Sequence, residues 1–166
     1  MAQATPVIKD LARISEKLRV GLHRDVLRPG DDGYDAARKI HNGMIDRSPA
    51  LIVRCADVSN VKQAVNVARE HGLLLSVLGG GHGVAGFAVC DQGLMIDLSR
   101  MKTIHVDPAL GTARAEGGVT WGELDRETLA VGMATTGGIE RTTGIAGLTA
   151  RNLCTTTRGS PRADVM

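Results

Sequence analysis

Aromatic side chains are almost missing from this chain, with one Trp, one Tyr and one Phe in 166 residues. The core must therefore be built from Val, Leu, Ile, Ala and Met. Nucleic-acid recognition by base stacking, which needs aromatic platforms, is not expected. An excess of one charge is missing too: 20 Lys and Arg against 18 Asp and Glu leave a formal charge of +2. The basic residues are scattered, so no polyanion partner is implied. Cysteine is sparse. Cys55, Cys90 and Cys154 are widely spaced, odd in number and form no CxxC pair, which speaks against a disulfide framework or a metal site. No apolar run reaches membrane-spanning length, and Met1 to Ile14 carries Lys9, Asp10 and Arg13 where a secretion signal needs an apolar core. The expectation is a cytoplasmic protein with reduced, buried thiols and neither a membrane nor a nucleic-acid partner.

What is present fits one soluble domain, with 43% hydrophobic and 23% charged residues. Residues 8–22 place Leu11, Ile14, Leu18, Val20 and Leu22 at roughly helical spacing among charges. Pro29 to Gly33 reads as a loop, 34–41 as a short helix, and 47–49 as a turn into a strand over 50–55. Ser59 is a candidate N-cap for a helix over 60–71 that Gly72 stops, and 73–78 is the next strand. Strand, helix and strand in this order make a βαβ unit with a parallel crossover. Further strands follow at 93–98, 103–107 and 111–116, the last two joined by a turn at 108–111. Thr120 begins a helix running to about Val131, with Glu123 placed to complete a capping box. From Ala150 the chain turns polar and loses periodicity, so no closing element is expected there.

The stretch Leu78-Gly-Gly-Gly-His82-Gly-Val-Ala-Gly86 carries most of the functional information. A strand ends in three glycines, whose backbone can take positive φ and let an anionic ligand lie on its N–H groups. His82 adds a nucleophilic, titratable ring inside that loop. Gly81-His-Gly83-Val-Ala-Gly86 fits the dinucleotide pattern GxGxxG, but only Phe87 to Gln92 precede the next glycine-led strand. That is too short for the crossover helix of a Rossmann fold. A tight turn without a ligand is the bland alternative; four glycines in five residues are entropically costly to order, which favours a ligand contact. His82 taken alone reads as an ordinary loop histidine.

Blocks in a fixed order decide more. Gly33-Tyr-Asp-Ala-Ala-Arg38, Asn42-Gly-Met-Ile-Asp-Arg47, Pro49-Ala-Leu-Ile-Val-Arg54, Gly79-Gly-Gly-His82, Val89-Cys-Asp91, Ile96-Asp-Leu-Ser-Arg-Met101 and Thr143-Gly-Ile-Ala-Gly-Leu-Thr149 together resemble the PCMH-type FAD-binding domain of the berberine-bridge-enzyme-like, FAD-linked oxidases, within the vanillyl-alcohol-oxidase group. The resemblance implies an α+β fold with an α/β-like first subdomain built on the βαβ unit, plus an incomplete part of the second. It divides the chain into a helical extension (1–33), a truncated FAD-binding domain (34–149) and an atypical tail (150–166) expected to be disordered.

The resemblance further implies FAD as cofactor and a small organic substrate that gives up a hydride, with O2 as acceptor. Gly79, Gly80, Gly81, His82 and Gly83 would lie along the pyrophosphate, with His82 bonded to the flavin 8α-methyl. Gly144, Ile145, Ala146 and Gly147 would form the second cofactor segment, with Thr136, Gly137 and Gly138 leading into it. No cysteine lies between Cys90 and Cys154, so a second covalent link is not implied. Three departures stand out: Leu78 replaces the family's arginine, Gly83 its asparagine, and after Thr149 the family pattern stops. No catalytic residue is expected in this chain, and no metal. The alternative reading is a non-catalytic fragment with weak or no FAD binding, which self-associates through uncovered apolar surface.

Overall fold

A computed structural model describes residues 11–22, 25–151 and 162–165. Residues 8–10 of the expected first helix and 152–161 of the tail, Cys154 among them, lie outside the described residues.

The chain opens with α1 (Leu11–Leu22), β1 (Val26–Leu27), α2 (Tyr34–Ala37), β2 (Leu51–Arg54), α3 (Val58–Glu70), β3 (Leu75–Leu78) and β4 (Leu94–Asp97). These build a four-stranded sheet in the order β1-β2-β4-β3, with β2, β4 and β3 mutually parallel and β1 antiparallel on the edge. The parallel βαβ crossover is present, yet β4 inserts between its two strands. The runs Leu51-Ile-Val53 and Leu94-Met-Ile96 are fully buried, because strands covered on both faces need apolar side chains at every position. Leu51, Val53, Leu94 and Ile96 pack under Ile14 and Leu18 of α1 and Ala64, Val67 and Ala68 of α3. On the other face Leu27, Ile52, Leu78 and Met95 meet Tyr34, Ala37 and Val89.

Several boundaries differ from the sequence reading. The N-cap of α3 is Asp57, not Ser59: its carboxylate accepts the Asn60 N–H at 2.9 Å and the Ser59 hydroxyl at 2.6 Å. A charged acceptor holds the orphan donors more strongly than a hydroxyl. The helix at Tyr34 ends at Ala37, because the chain turns so that the His41 N–H reaches the Gly81 carbonyl at 3.1 Å. β1 was not anticipated; two residues carry no readable alternation.

The second unit holds β5 (Ile104–Asp107), β6 (Thr112–Ala115), α4 (Trp121–Leu129), α5 (Ile145–Arg151) and β7 (Arg162–Val165). β5 and β6 are antiparallel around Gly111, whose φ is +62°. The capping box forms as expected, with the Glu123 carboxylate accepting the Thr120 N–H at 2.8 Å. Burial pushes that carboxyl's pKa up, but Lys102 and the Thr120 donors outweigh it and leave it below the usual range. Ala113, Ala115, Val119, Trp121, Leu124 and Ile145 form the core here. The tail departs from expectation: β7 pairs in parallel with β6, Thr112 opposite Arg162 and Ala115 opposite Val165. Arg162-Ala-Asp-Val165 alternates polar and apolar residues, a strand signal that the polar average of the tail conceals.

Candidate functional site

β3 delivers its C-terminal end to the junction between the two units. Beyond Leu78 the chain returns to β4 through residues 79–93 without a helix, a crossover made by loop alone. Gly81 has φ +70°, a left-handed turn that L side chains rarely adopt. Gly80 is needed for space: a Cβ there would sit 2.1 Å from the Gly144 nitrogen, and a Cβ on Gly144 would sit 2.3 Å from the Gly80 nitrogen. The two glycine segments therefore lie backbone on backbone. Leu78, where the resemblance expects arginine, is buried in the sheet's second core cluster.

The second segment is clamped to the other unit. Trp121 N–H donates to the Thr143 carbonyl at 3.0 Å, Gly122 N–H to Arg141 at 2.9 Å, and Ile145 N–H to Val119 at 3.0 Å. Among the described residues, no protein group accepts from the N–H groups of Gly80, Gly81, His82 or Gly83. Backbone donors that are not solvated must find a partner, and four consecutive ones with no internal acceptor suit an anion.

The His82 ring sits at the mouth of this junction. The His41 ring stacks on it, centroids 4.1 Å apart and planes inclined by 16°. The Thr142 hydroxyl lies 2.8 Å from His82 Nε2. Burial holds the His82 pKa below its ordinary value, the His41 charge lowers it further, and Glu140 opposes both. A neutral imidazole is thus the ground form at neutral pH.

Not every expected contact gathers here. Gly79 and Gly80 meet Gly144, Gly81 packs against Leu78 and Ile40, and the His82 ring reaches His41 and Thr142, while Gly83 is exposed with open space at its Cβ position. The Ile145 side chain is buried in the second core. Ala146 is half-buried near Gly117, and Gly147 is exposed on α5. Gly137 and Gly138 lie flat on the Trp121 indole, where a Cβ would come within 2.4 Å and 2.8 Å of the ring. Their nearest partner is that indole and not the loop, and Thr136 beside them is exposed. Sequence reasoning missed His41, Thr142 and Glu140 as neighbours of His82. Only the block beginning at Asn42 and the block beginning at Thr143, adjoining His41 and Thr142, hinted at their place.

The profile of the FAD binding domain family matches residues 49–163. The chain belongs to the FAD binding domain family. It is 37% identical to (R)-6-hydroxynicotine oxidase of Paenarthrobacter nicotinovorans over 129 residues, 78% of this chain and 28% of that protein. It is 38% identical to an FAD-linked oxidoreductase of Dictyostelium discoideum, covering 75% of this chain and 27% of that one. The crystal structure of 6-hydroxy-D-nicotine oxidase from Arthrobacter nicotinovorans superposes with a TM-score of 0.74 at 35% identity, over 89% of this chain and 30% of the other. Physcomitrella patens BBE-like 1 superposes with a TM-score of 0.75 at 27% identity, over 84% and 30%. The chain thus spans less than a third of the length of these relatives and corresponds to their N-terminal part. The unpartnered N–H row and the glycine seam fit the pyrophosphate of the family's cofactor without any lysine.

Proposed function

We propose that this chain supplies the pyrophosphate cradle and the covalent tether of an FAD-dependent oxidase acting on a small organic substrate, with O2 as acceptor. The observation that carries the reading is the row of unpartnered N–H groups from Gly80 to Gly83, with His82 inside it and Gly144 packed against it. Gly79 to Gly83 would meet the phosphates, and the Gly144 segment would close the other side, with Ala146 and Gly147 following. Bound FAD supplies the hydride-accepting chemistry. His82 holds the cofactor in place and is not a general base. The relatives, (R)-6-hydroxynicotine oxidase among them, support oxidation of a small organic molecule.

Acid precipitation of the protein after incubation with FAD in air tests the reading. A yellow pellet, lost in His82→Ala, is the expected result, and a colourless wild-type pellet would overturn the tether. A second reading, that this 166-residue polypeptide binds FAD weakly and self-associates, draws on the exposed Val84, Phe87 and Ile139 around the site. Reversible FAD binding weaker than micromolar, with growth in particle size on concentration, would favour it.

A further inference from the structure

The contacts on the edge of the His82 ring contain more than a tether requires. Thr142 Oγ1 lies 2.8 Å from His82 Nε2 and 3.1 Å from Glu140 Oε1, and that same carboxylate oxygen takes the Thr142 backbone N–H at 3.3 Å. A threonine hydroxyl has one proton to give, and an ionised carboxylate can only accept. The Thr142 N–H and hydroxyl hold the Glu140 carboxyl below its usual range, so it is ionised at neutral pH. The hydroxyl proton therefore points at Glu140, which leaves the hydroxyl oxygen to accept from His82. Nε2 must then carry the ring proton. In a neutral imidazole protonated at Nε2 the free lone pair is on Nδ1, because the bond made by one nitrogen sets the state of the other.

His41 completes the arrangement. Its stacked ring covers one face of His82, and the His41 backbone N–H is tied to the Gly81 carbonyl at 3.1 Å. The ring plane is held, while the Nδ1 lone pair lies in that plane and off the stack.

We infer that Thr142 and Glu140 are positioning residues that fix His82 as the Nε2–H tautomer and so make Nδ1 the nitrogen that bonds to the flavin. The inference rests on the tether reading above for the identity of the electrophile, but the tautomer belongs to the chain alone. In the attachment, the Nδ1 lone pair forms the new N–C bond and the 8α C–H bond breaks, its proton going to water. The Nε2 proton leaves through Thr142 to Glu140, and the two electrons left over pass to dioxygen, which with two protons becomes hydrogen peroxide.

Long-range 15N–1H NMR of the histidine-labelled chain without flavin, above the His82 titration, reads the tautomer directly. Wild type is expected to show a pyridine-type Nδ1 and a pyrrole-type Nε2. Thr142→Val should mix the two forms, and Thr142→Ser should restore the wild-type pattern. A protonated Nδ1 in wild type, or an unchanged pattern in Thr142→Val, overturns the inference. With FAD and air, the digested flavin peptide should be linked through Nδ1, and Thr142→Val should slow attachment by about tenfold, as loss of an orienting partner on a histidine does. Linkage through Nε2 also overturns it. The expected tautomer with no covalent flavin would overturn the tether reading and leave the tautomer assignment supported.

Discussion

Gly80 and Gly83 are three residues apart in one loop and differ completely in what a side chain would meet. A Cβ on Gly80 collides with the backbone of Gly144, which cannot swing aside, whereas Gly83 has nothing within 4 Å. Gly80→Ala should cost about 1–3 kcal/mol, the usual effect of overpacking, and Gly83→Ala should stay within about 0.5 kcal/mol, as surface changes do. Denaturant unfolding of both variants measures this, and equal losses would contradict the seam. His82 adds a pH signature. Its pKa is lowered from 6.5 by burial and by the charge of His41, against Glu140. The unfolded chain takes this proton near 6.5 and the folded chain only below that value. Stability tied to the neutral ring is therefore complete above pH 6.5 and is lost as pH falls through the lowered value. NMR titration should place the His82 midpoint under 6.5, and His41→Ala should raise it. No movement in that variant would remove His41 from the account.

At the scale of elements, burial decides how well the chain could be read. The strands at Leu51 and Leu94 are continuous apolar runs, and both were legible because a two-sided sheet leaves no polar position in them. Ile96, with no exposed surface, should lose about 2–5 kcal/mol on replacement by Ala, read as a drop in the denaturation midpoint. The capping box at Thr120 was equally legible, since Thr120 and Glu123 act within four residues. Thr120→Ala should cost about 1 kcal/mol, measured by thermal unfolding. What depended on distant partners was not legible. The short α2 ends where it does because His41 bonds a carbonyl forty residues on, and β7 exists by pairing with β6 across half a unit. The N-cap of α3 went to Asp57 over Ser59 on the strength of a charge, a comparison that spacing alone does not make.

At the scale of the whole molecule, the site is a seam between two sheets. The glycine loop ends a parallel sheet, and the Gly144 segment is bonded to the unit built on β5 and β6. Each half could be found in the sequence as a glycine-rich block, but their contact across sixty residues could not. Nor could the division of labour among the later glycines, where Gly137 and Gly138 serve the Trp121 indole and Gly144 serves the loop. The same seam lies wholly within a chain spanning 28% of a full-length relative, so both halves of the proposed cradle fall inside it. The most direct test of that claim is the denatured mass of the chain after incubation with FAD in air. A covalent tether at His82 requires a gain of one FAD less two hydrogens, abolished by His82→Ala. An unmodified mass, or a gain that survives in His82→Ala, would contradict it.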